Sequence, residues 1–381
     1  MIIQDVLEAT LTIGGVEYSL GQNTFESICI SQNVLQFLPS CRLILDDTMG
    51  FFDQIPLVDG LPVSIQITSL RNSNPDTKIY PFVLTGRPEV KTISTGKIYI
   101  LYGLFDRLNY IRDRGYECWT GTSNYVLSQV AKKFDFKFDG DPTAIDSMDW
   151  YMGNKSYGQF AQSVSDYGYF DRNSCAMVCV TPSGTMKYKN VTTLPLLHPT
   201  NRAYFYIDKP KDNYANFRVL TDEWFYESTF VNMLYGYKYD VIDTSLDGST
   251  QVFKEVDSKK TFSNKLNVNN NINELMSSVR TEYGFVDCGN THSNYWKAYH
   301  QNKRLRCTYS STYIPTVSED TGLELLDLAE IESISGTETN TDTATTYIVT
   351  GKTQMIDDTF SYKEKLQLTT TGKNISSSNL Y

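Results

Sequence analysis

The sequence predicts an α+β, mainly β protein in which two similar β-barrel modules flank a helix-helix-hairpin domain, with an insertion in the second barrel. Three observations carry this expectation. Residues 122–191 hold two helices with their own start and stop signals, followed by a hairpin. Short strands run on either side, in a chain with 27 Tyr and 19 Phe, residues that suit a pleated surface. A six-residue segment on one side is echoed on the other.

The first barrel, residues 1–110, reads as a meander over 9–13, 16–20, 25–31, 41–45, 61–68, 80–86 and 97–104. Gly14-Gly15, Asp46-Asp47, Asp59-Gly60 and a polar run over 71–78 separate the strands. Short strands at such spacing predict a barrel or sandwich. Residues 107–114 then lead into the central domain, 111–202.

There Thr122 is a candidate cap for a helix bearing Leu127, Val130, Ala131 and Phe134, with Gly140-Asp141-Pro142 as its breaker. Ser156 followed by Gln159 is a capping-box pattern. Phe160, Val164 and Tyr167 share the next helical face, and Gly168 is expected to close that helix in the left-handed region. Thr181-Pro182-Ser183-Gly184 turns a hairpin between 177–180 and 186–188, and 194–202 is the exit linker.

The second barrel is expected over 203–244 and 302–371, with strands at 217–220, 224–227, 230–241, 305–309, 323–328, 346–352 and 360–369. An inserted α-containing domain occupies 245–301. Its helix is capped by Asn271, with Glu274 three residues on, Ile272, Leu275, Met276 and Val279 on one face, and Gly284 as its stop. Residues 372–381 read as a flexible tail.

The echo is Phe82-Val83-Leu84-Thr85-Gly86-Arg87 against Tyr347-Ile348-Val349-Thr350-Gly351-Lys352. Each copy follows a Gly-led strand, 60–67 or 322–328, and precedes another, 97–104 or 360–368. Similarity at a distance predicts one β module used twice.

The chain has 381 residues, a formal net charge of −10 and 20% charged residues, which argues against general affinity for nucleic acid or anionic membrane. No apolar run nears the ~18 residues of a membrane helix. Met1-Ile2-Ile3-Gln4-Asp5 lacks a signal-peptide pattern, so no stable membrane insertion is expected and the chain should stay in the cytoplasm where it is made. Seven cysteines, at 29, 41, 118, 175, 179, 288 and 307, are scattered and odd in number, which fits a reducing compartment. Cys175 and Cys179 are expected on one face and in the core rather than on a metal.

No motif assigns a catalytic, cofactor-binding or metal-ligating residue, and the expectation is a protein that is not an enzyme and takes no cofactor. His198, His292 and His300 contain no His-Glu-x-x-His and read as solvated or loop residues. Gly351-Lys352-Thr353 ends like a phosphate loop, but Thr346 stands where Gly is required and the context is strand to turn. The acid pairs Asp46/Asp47, Glu319/Asp320 and Asp357/Asp358 could serve glycoside hydrolysis, yet neighbouring acids on turns are more often solvated.

Charge is unevenly spread near the end of the chain. Residues 309–350 carry eight acids and no Lys or Arg, whereas 289–308 carry Lys297, Lys303, Arg304 and Arg306 and no acid. Solvated strand faces are the favoured reading. The sharper one has these charges meeting across a subunit boundary, or the acids lining a channel for a polyanion.

In element order, and through Asn154-Lys155-Ser156-Tyr157-Gly158-Gln159-Phe160 running into Val164-Ser165-Asp166-Tyr167-Gly168-Tyr169, then Ser183-Gly184-Thr185-Met186, the chain resembles the tail hub proteins of contractile-tailed bacteriophages. It is similar also to the amino-terminal half of VgrG spikes of type VI secretion. The resemblance implies a homotrimer whose six β modules form a pseudo-sixfold ring, adapting a hexameric tail tube to a trimeric spike. It further implies a place in the virion baseplate and a lumen through which DNA and tape-measure protein pass. VgrG-type chains continue into a needle whereas this one stops at Tyr381, so a separate spike protein is expected. The rival readings are a component of a related injection system and a tail-associated carbohydrate-binding protein or glycosidase.

Overall fold

A computed structural model of the chain describes residues 7–20, 26–48, 50, 52, 55–69, 76–171, 174–194, 203–212, 214–226, 238–244, 250–254, 279–285, 291–309, 311–332 and 346–370. Among them the protein is mainly β, as the aromatic and β-branched composition predicts.

The first part holds β1 (Leu7–Ile13), β2 (Val16–Ser19), β3 (Ser27–Asn33), β4 (Ser40–Asp47), β5 (Pro62–Ser69), β6 (Asp76–Leu84), β7 (Glu89–Ile93) and β8 (Gly96–Phe105). Alternation of buried and less buried residues along β3 and β4 turns Ile28, Ile30, Cys41, Leu43 and Leu45 into one core. The sequence strands are recovered within a few residues. β7 is the addition, and all of its side chains are exposed, so no apolar alternation marked it.

The central part runs α1 (Leu108–Arg112), β9 (Cys118–Gly121), α2 (Ser123–Lys133), β10 (Lys137–Gly140), β11 (Met148–Tyr151), α3 (Tyr157–Tyr167), β12 (Ala176–Val180) and β13 (Thr185–Asn190). Both expected caps form. The Thr122 side chain accepts from the Tyr125 amide, and Ser156 and Gln159 make a reciprocal capping box. Two expectations are corrected. α2 ends at Phe134, followed by Asp135 at φ 55°, and the supposed breaker region contributes β10, paired parallel to β13. Gly168 closes α3 at φ −65°, outside the left-handed region. Its glycine is required by packing instead, because a Cβ there would lie 2.1 Å from the Tyr188 hydroxyl.

The remaining elements are β14 (Ala203–Tyr206), β15 (Ala215–Arg218), β16 (Thr221–Tyr226), β17 (Lys238–Thr244), β18 (Thr250–Lys254), β19 (Val279–Phe285), α4 (Tyr295–Thr308), β20 (Ser311–Val317), β21 (Leu328–Ile331), β22 (Thr346–Asp357) and β23 (Tyr362–Thr370). β17 lies between β18 and β19 in a separate three-stranded sheet. Val279 and Gly284, expected on the inserted helix, lie on β19, while Asn271, Ile272, Glu274, Leu275 and Met276 fall outside the described residues. So do 195–202 of the linker, 230–237, and 372–381.

Two further expectations fail here. Residues 305–309 were expected as a strand, but 305–308 finish α4, whose interior face is polar and so hid the helical period. Residues 323–328 form a turn leading into β21, with Leu325 and Leu326 buried in it. An apolar run alone does not separate a buried turn from a strand.

Two apolar cores result. One joins the first part to α2, α3 and one face of β12–β13, through Val126, Leu127, Phe160, Val178 and Tyr188. The other fills the last part and takes in Cys175 and Cys179. Both cysteines are buried, as expected, and burial pushes the Cys179 thiol up. The hairpin therefore sits between the cores, and Lys187 on β13 reaches Asp327 at 2.7 Å and Glu324 at 3.5 Å.

Candidate functional site: a repeated sheet with two open edges

An antiparallel sheet runs β7-β8-β4-β3-β22-β23-β20-β16, with four strands from each end of the chain. The order repeats. In the first half the chain visits β3, β4, β7 and β8; in the second it visits β16, β20, β22 and β23 and lays them down in the same spatial order. One row across the ladders fixes the correspondence. Ser27 faces Ile44, which faces Ile100, which faces Glu89. Thr221 faces Thr316, which faces Lys365, which faces Thr353.

The six-residue echo falls in matching places on these rows. Val83 and Leu84 pair with Leu104 and Gly103 on β8, and the chain then breaks at Gly86, φ 79°, before resuming along the same strand as β7. Ile348 and Val349 pair with Thr369 and Leu368 on β23, and β22 shifts register between Val349 and Gly351. A turn in one half thus replaces a bulge in the other. The flanking strands differ: β5 meets β1 antiparallel, whereas β21 meets β14 parallel.

The halves join where β3 pairs with β22, from Asn33 opposite Gly351 to Ser27 opposite Asp357. Side chains close the seam. The Asn33 amide donates to Gln367 Oε1 at 2.9 Å, and Ser31 and Thr353 hydroxyls meet at 3.4 Å. Beside it lies a buried charge cluster. Lys352 donates to Glu364 at 2.9 Å and to the Leu323 carbonyl at 2.9 Å, and it stands 3.6 Å from Asp320, which also pairs with Lys78 of β6. The Tyr362 hydroxyl donates to Glu364 at 2.7 Å and accepts from Gln354 at 2.8 Å. Burial opposes charge on both Lys352 and Asp320, yet the facing opposite charges raise the lysine pKa and lower the carboxyl.

The acid-rich segment thus has intramolecular partners. Asp320, Glu324 and Asp327 bind lysines, Glu330 meets Lys211 at 3.2 Å, and Glu332 accepts from the amides of Ile207, Asp208 and Lys209. Each of these five therefore has a partner within the chain, while Glu324 and Asp327 keep 31% and 38% of their side chains exposed. Of the basic residues, Arg306 pairs with Asp166. Lys352 of the phosphate-loop look-alike lies mid-strand and buried. Asp46 and Asp47 end β4, where Asp47 is buried and accepts the Phe52 amide, rather than forming a solvated turn. Asp357 accepts from Thr359 and Ser361, which lowers its pKa against the effect of burial.

α4 clamps the central part from the side. Asn302 Nδ2 donates to the carbonyls of Asp166 at 2.9 Å and Gly168 at 2.8 Å, so a side chain caps the end of α3, while its Oδ1 accepts the Ala176 amide at 2.9 Å. Gln301 donates to the Ser174 carbonyl at 2.7 Å and Arg306 to that of Ala176. The Tyr167 and Tyr295 rings stack at 4.0 Å. His292 is packed rather than solvated, with Nε2 3.1 Å from the Tyr167 carbonyl, and burial lowers its pKa. His198 falls outside the described residues. Tyr295, Tyr299, Asn302 and Arg306 recur at helical spacing, the signal that a search for apolar periodicity passes over.

The outer strands of the sheet are open. Among the described residues β7 pairs only with β8 and β16 only with β20. Trp224 and Phe225 on β16 are 50% and 59% exposed, and Val90 on β7 is 50% exposed. Unpaired, apolar-bearing edges are sites of association unless something covers them.

Over almost its full length the chain superposes on two solved proteins. The tail protein from Neisseria meningitidis MC58 matches with a TM-score of 0.57 and 10% identity, over 97% of this chain and 98% of that one. The fold is that of a phage-type tail protein. The 43 kDa tail protein of prophage MuSo2 from Shewanella oneidensis matches with a TM-score of 0.54 and 8% identity, over 96% and 97% of the two chains. No family model and no curated protein matches the sequence. At such identity the likeness lies in the tail-protein fold, and residue roles are not carried across it.

Proposed function

We propose that the chain is a structural virion protein, the trimeric central hub of a phage tail baseplate, forming a pseudo-sixfold ring that adapts the hexameric tail tube to a separate trimeric spike. The observation that carries this reading is the repeated sheet. Two four-stranded halves in one chain, laid head to tail, give six similar units in three copies, the arrangement a sixfold-to-threefold adaptor needs. The tail-protein fold supports the same assignment.

In this reading the function lies in interfaces rather than in catalysis. One rim of the ring meets tail tube proteins and the other the spike. Genome and tape-measure protein pass through the lumen, and a net charge of −10 suits a wall that must not retain a polyanion. The test is the solution mass by light scattering, alone and with the candidate spike chain. Three times the 43.4 kDa of one chain, or that mass plus the spike's own once the spike is added, is the expected result. A monomer indifferent to every tail protein overturns it.

A further inference from the structure

We infer that the open edges β16 and β7 pair with each other between copies of this chain, antiparallel and in one register, reproducing between subunits the β3·β22 seam found within each. The inference rests on the trimeric reading and adds to it the strands and residues that meet.

The repeat itself supplies the argument. β16 is the counterpart of β3, and β7 the counterpart of the outer part of β22, because each pair holds the same place on the same rows. β3 and β22 have used their outer edges on one another, whereas among the described residues β16 and β7 have not. Within the chain Thr353 faces Ser31. Glu89 occupies the place of Thr353, and Phe225 that of Ser31. Phe225 therefore faces Glu89 of the second copy, Trp224 faces Val90, Glu223 faces Lys91, Asp222 faces Thr92 and Thr221 faces Ile93.

That register is chemically matched, although it was derived without reference to side chains. Glu223 meets Lys91, opposite charges directly across the strands. Trp224 and Val90, each half exposed in the single chain, cover one another. Ile30, the counterpart of Trp224 in the internal seam, is only 1% exposed because β22 already covers it. A shift of one residue in either direction sets Glu223 against Val90 or Thr92 and loses the charge match. β2 and β15, the other strands of the large sheet with a single neighbour among the described residues, have no counterpart in the seam.

The experiment is oxidative cross-linking of two double-cysteine chains, one carrying Glu223→Cys with Lys91→Cys and the other Trp224→Cys with Val90→Cys. Directly opposed antiparallel pairs alternate between hydrogen-bonded and non-hydrogen-bonded types, so the two chains sample both. At least one should form covalent dimers and trimers on a non-reducing gel. The single variants, which control for the exposed Cys118, and Glu223→Cys with Glu89→Cys, two residues out of register, should not. Absence of linking in both double variants overturns the inference, as does equal linking in the shifted control. Each sample is linked and weighed by light scattering alone and with the candidate spike chain: unlinked trimers refute the seam and leave the hub, while chains that stay unlinked monomers in the presence of the spike refute both. Thermal unfolding of each variant at the midpoint of the parent chain excludes a misfolded sample.

Discussion

Gly60 and Leu326 occupy the same position in the two halves of the protein. The Gly60 amide donates to the Leu84 carbonyl at 2.9 Å, and the Leu326 amide donates to the Val349 carbonyl at 2.8 Å. Both residues are left-handed, at φ 90° and φ 66°. The turn that feeds each half therefore needs a positive φ, and one copy meets the need with glycine while the other holds a leucine there by burying its side chain.

Gly60→Ala is expected to destabilise the chain by about 1–2 kcal/mol, the cost of a Cβ in the left-handed region. A Cβ there would meet nothing within 4 Å, so no packing change obscures that cost. Leu326→Ala keeps the backbone strain and loses a core side chain, at about 2–5 kcal/mol. Urea unfolding measures both; a neutral Gly60→Ala would contradict the shared geometry.

Much of this repeat was legible in the sequence. The echo at Phe82 and Tyr347, the strand that follows each copy at 97–104 and 360–368, and, outside the repeat, the capping box at Ser156 are local signals that survive folding. The turn at Leu326 was not legible, because nothing local announces leucine at positive φ. α4 was missed because its inward face carries Gln301, Asn302 and Arg306, which pay their desolvation cost through hydrogen bonds to α3 and to the segment that follows it. The ion-pair partners of Asp320 and Asp327 lie far away in sequence, so a tally of charges could not distinguish them from solvated acids.

Asn302→Ala should cost about 3 kcal/mol, since it leaves the Asp166 and Gly168 carbonyls and the Ala176 amide without their partner in a buried site. Asn302→Asp should cost more, because a carboxylate would face those carbonyls. Chemical denaturation tests the order; an Asn302→Ala chain as stable as the parent would show that α4 does not cap α3.

The charge cluster predicts an acid-sensitive seam. Lys352 and Lys78 hold the Asp320 carboxyl below the usual range although burial opposes this, so its stabilisation is complete above an unfolded-state value of about 3.9 and is lost as pH falls from there through the lower folded-state value. Asp320→Asn should cost about 3 kcal/mol at pH 7 and then lose less stability than the parent on acidification to pH 3. Parallel urea midpoints for the two chains across that range would contradict the assignment.

Gly168→Ala should destabilise by about 3 kcal/mol, because its Cβ would collide with the Tyr188 hydroxyl in a fully buried site. Tyr188→Phe alone gives up a 2.9 Å hydrogen bond to Ser123, at about 1 kcal/mol. Combined, the two should cost less than their sum, since the second change removes the obstructing atom. Additive costs would return the explanation to backbone conformation.

The most direct measurement of the central claim is end-on electron microscopy of the assembled protein, with rotational symmetry read from averaged particles. The repeated sheet predicts a closed ring with threefold symmetry and a strong sixfold component from its six similar halves. A ring with only threefold power, or particles with no central opening, would contradict the account.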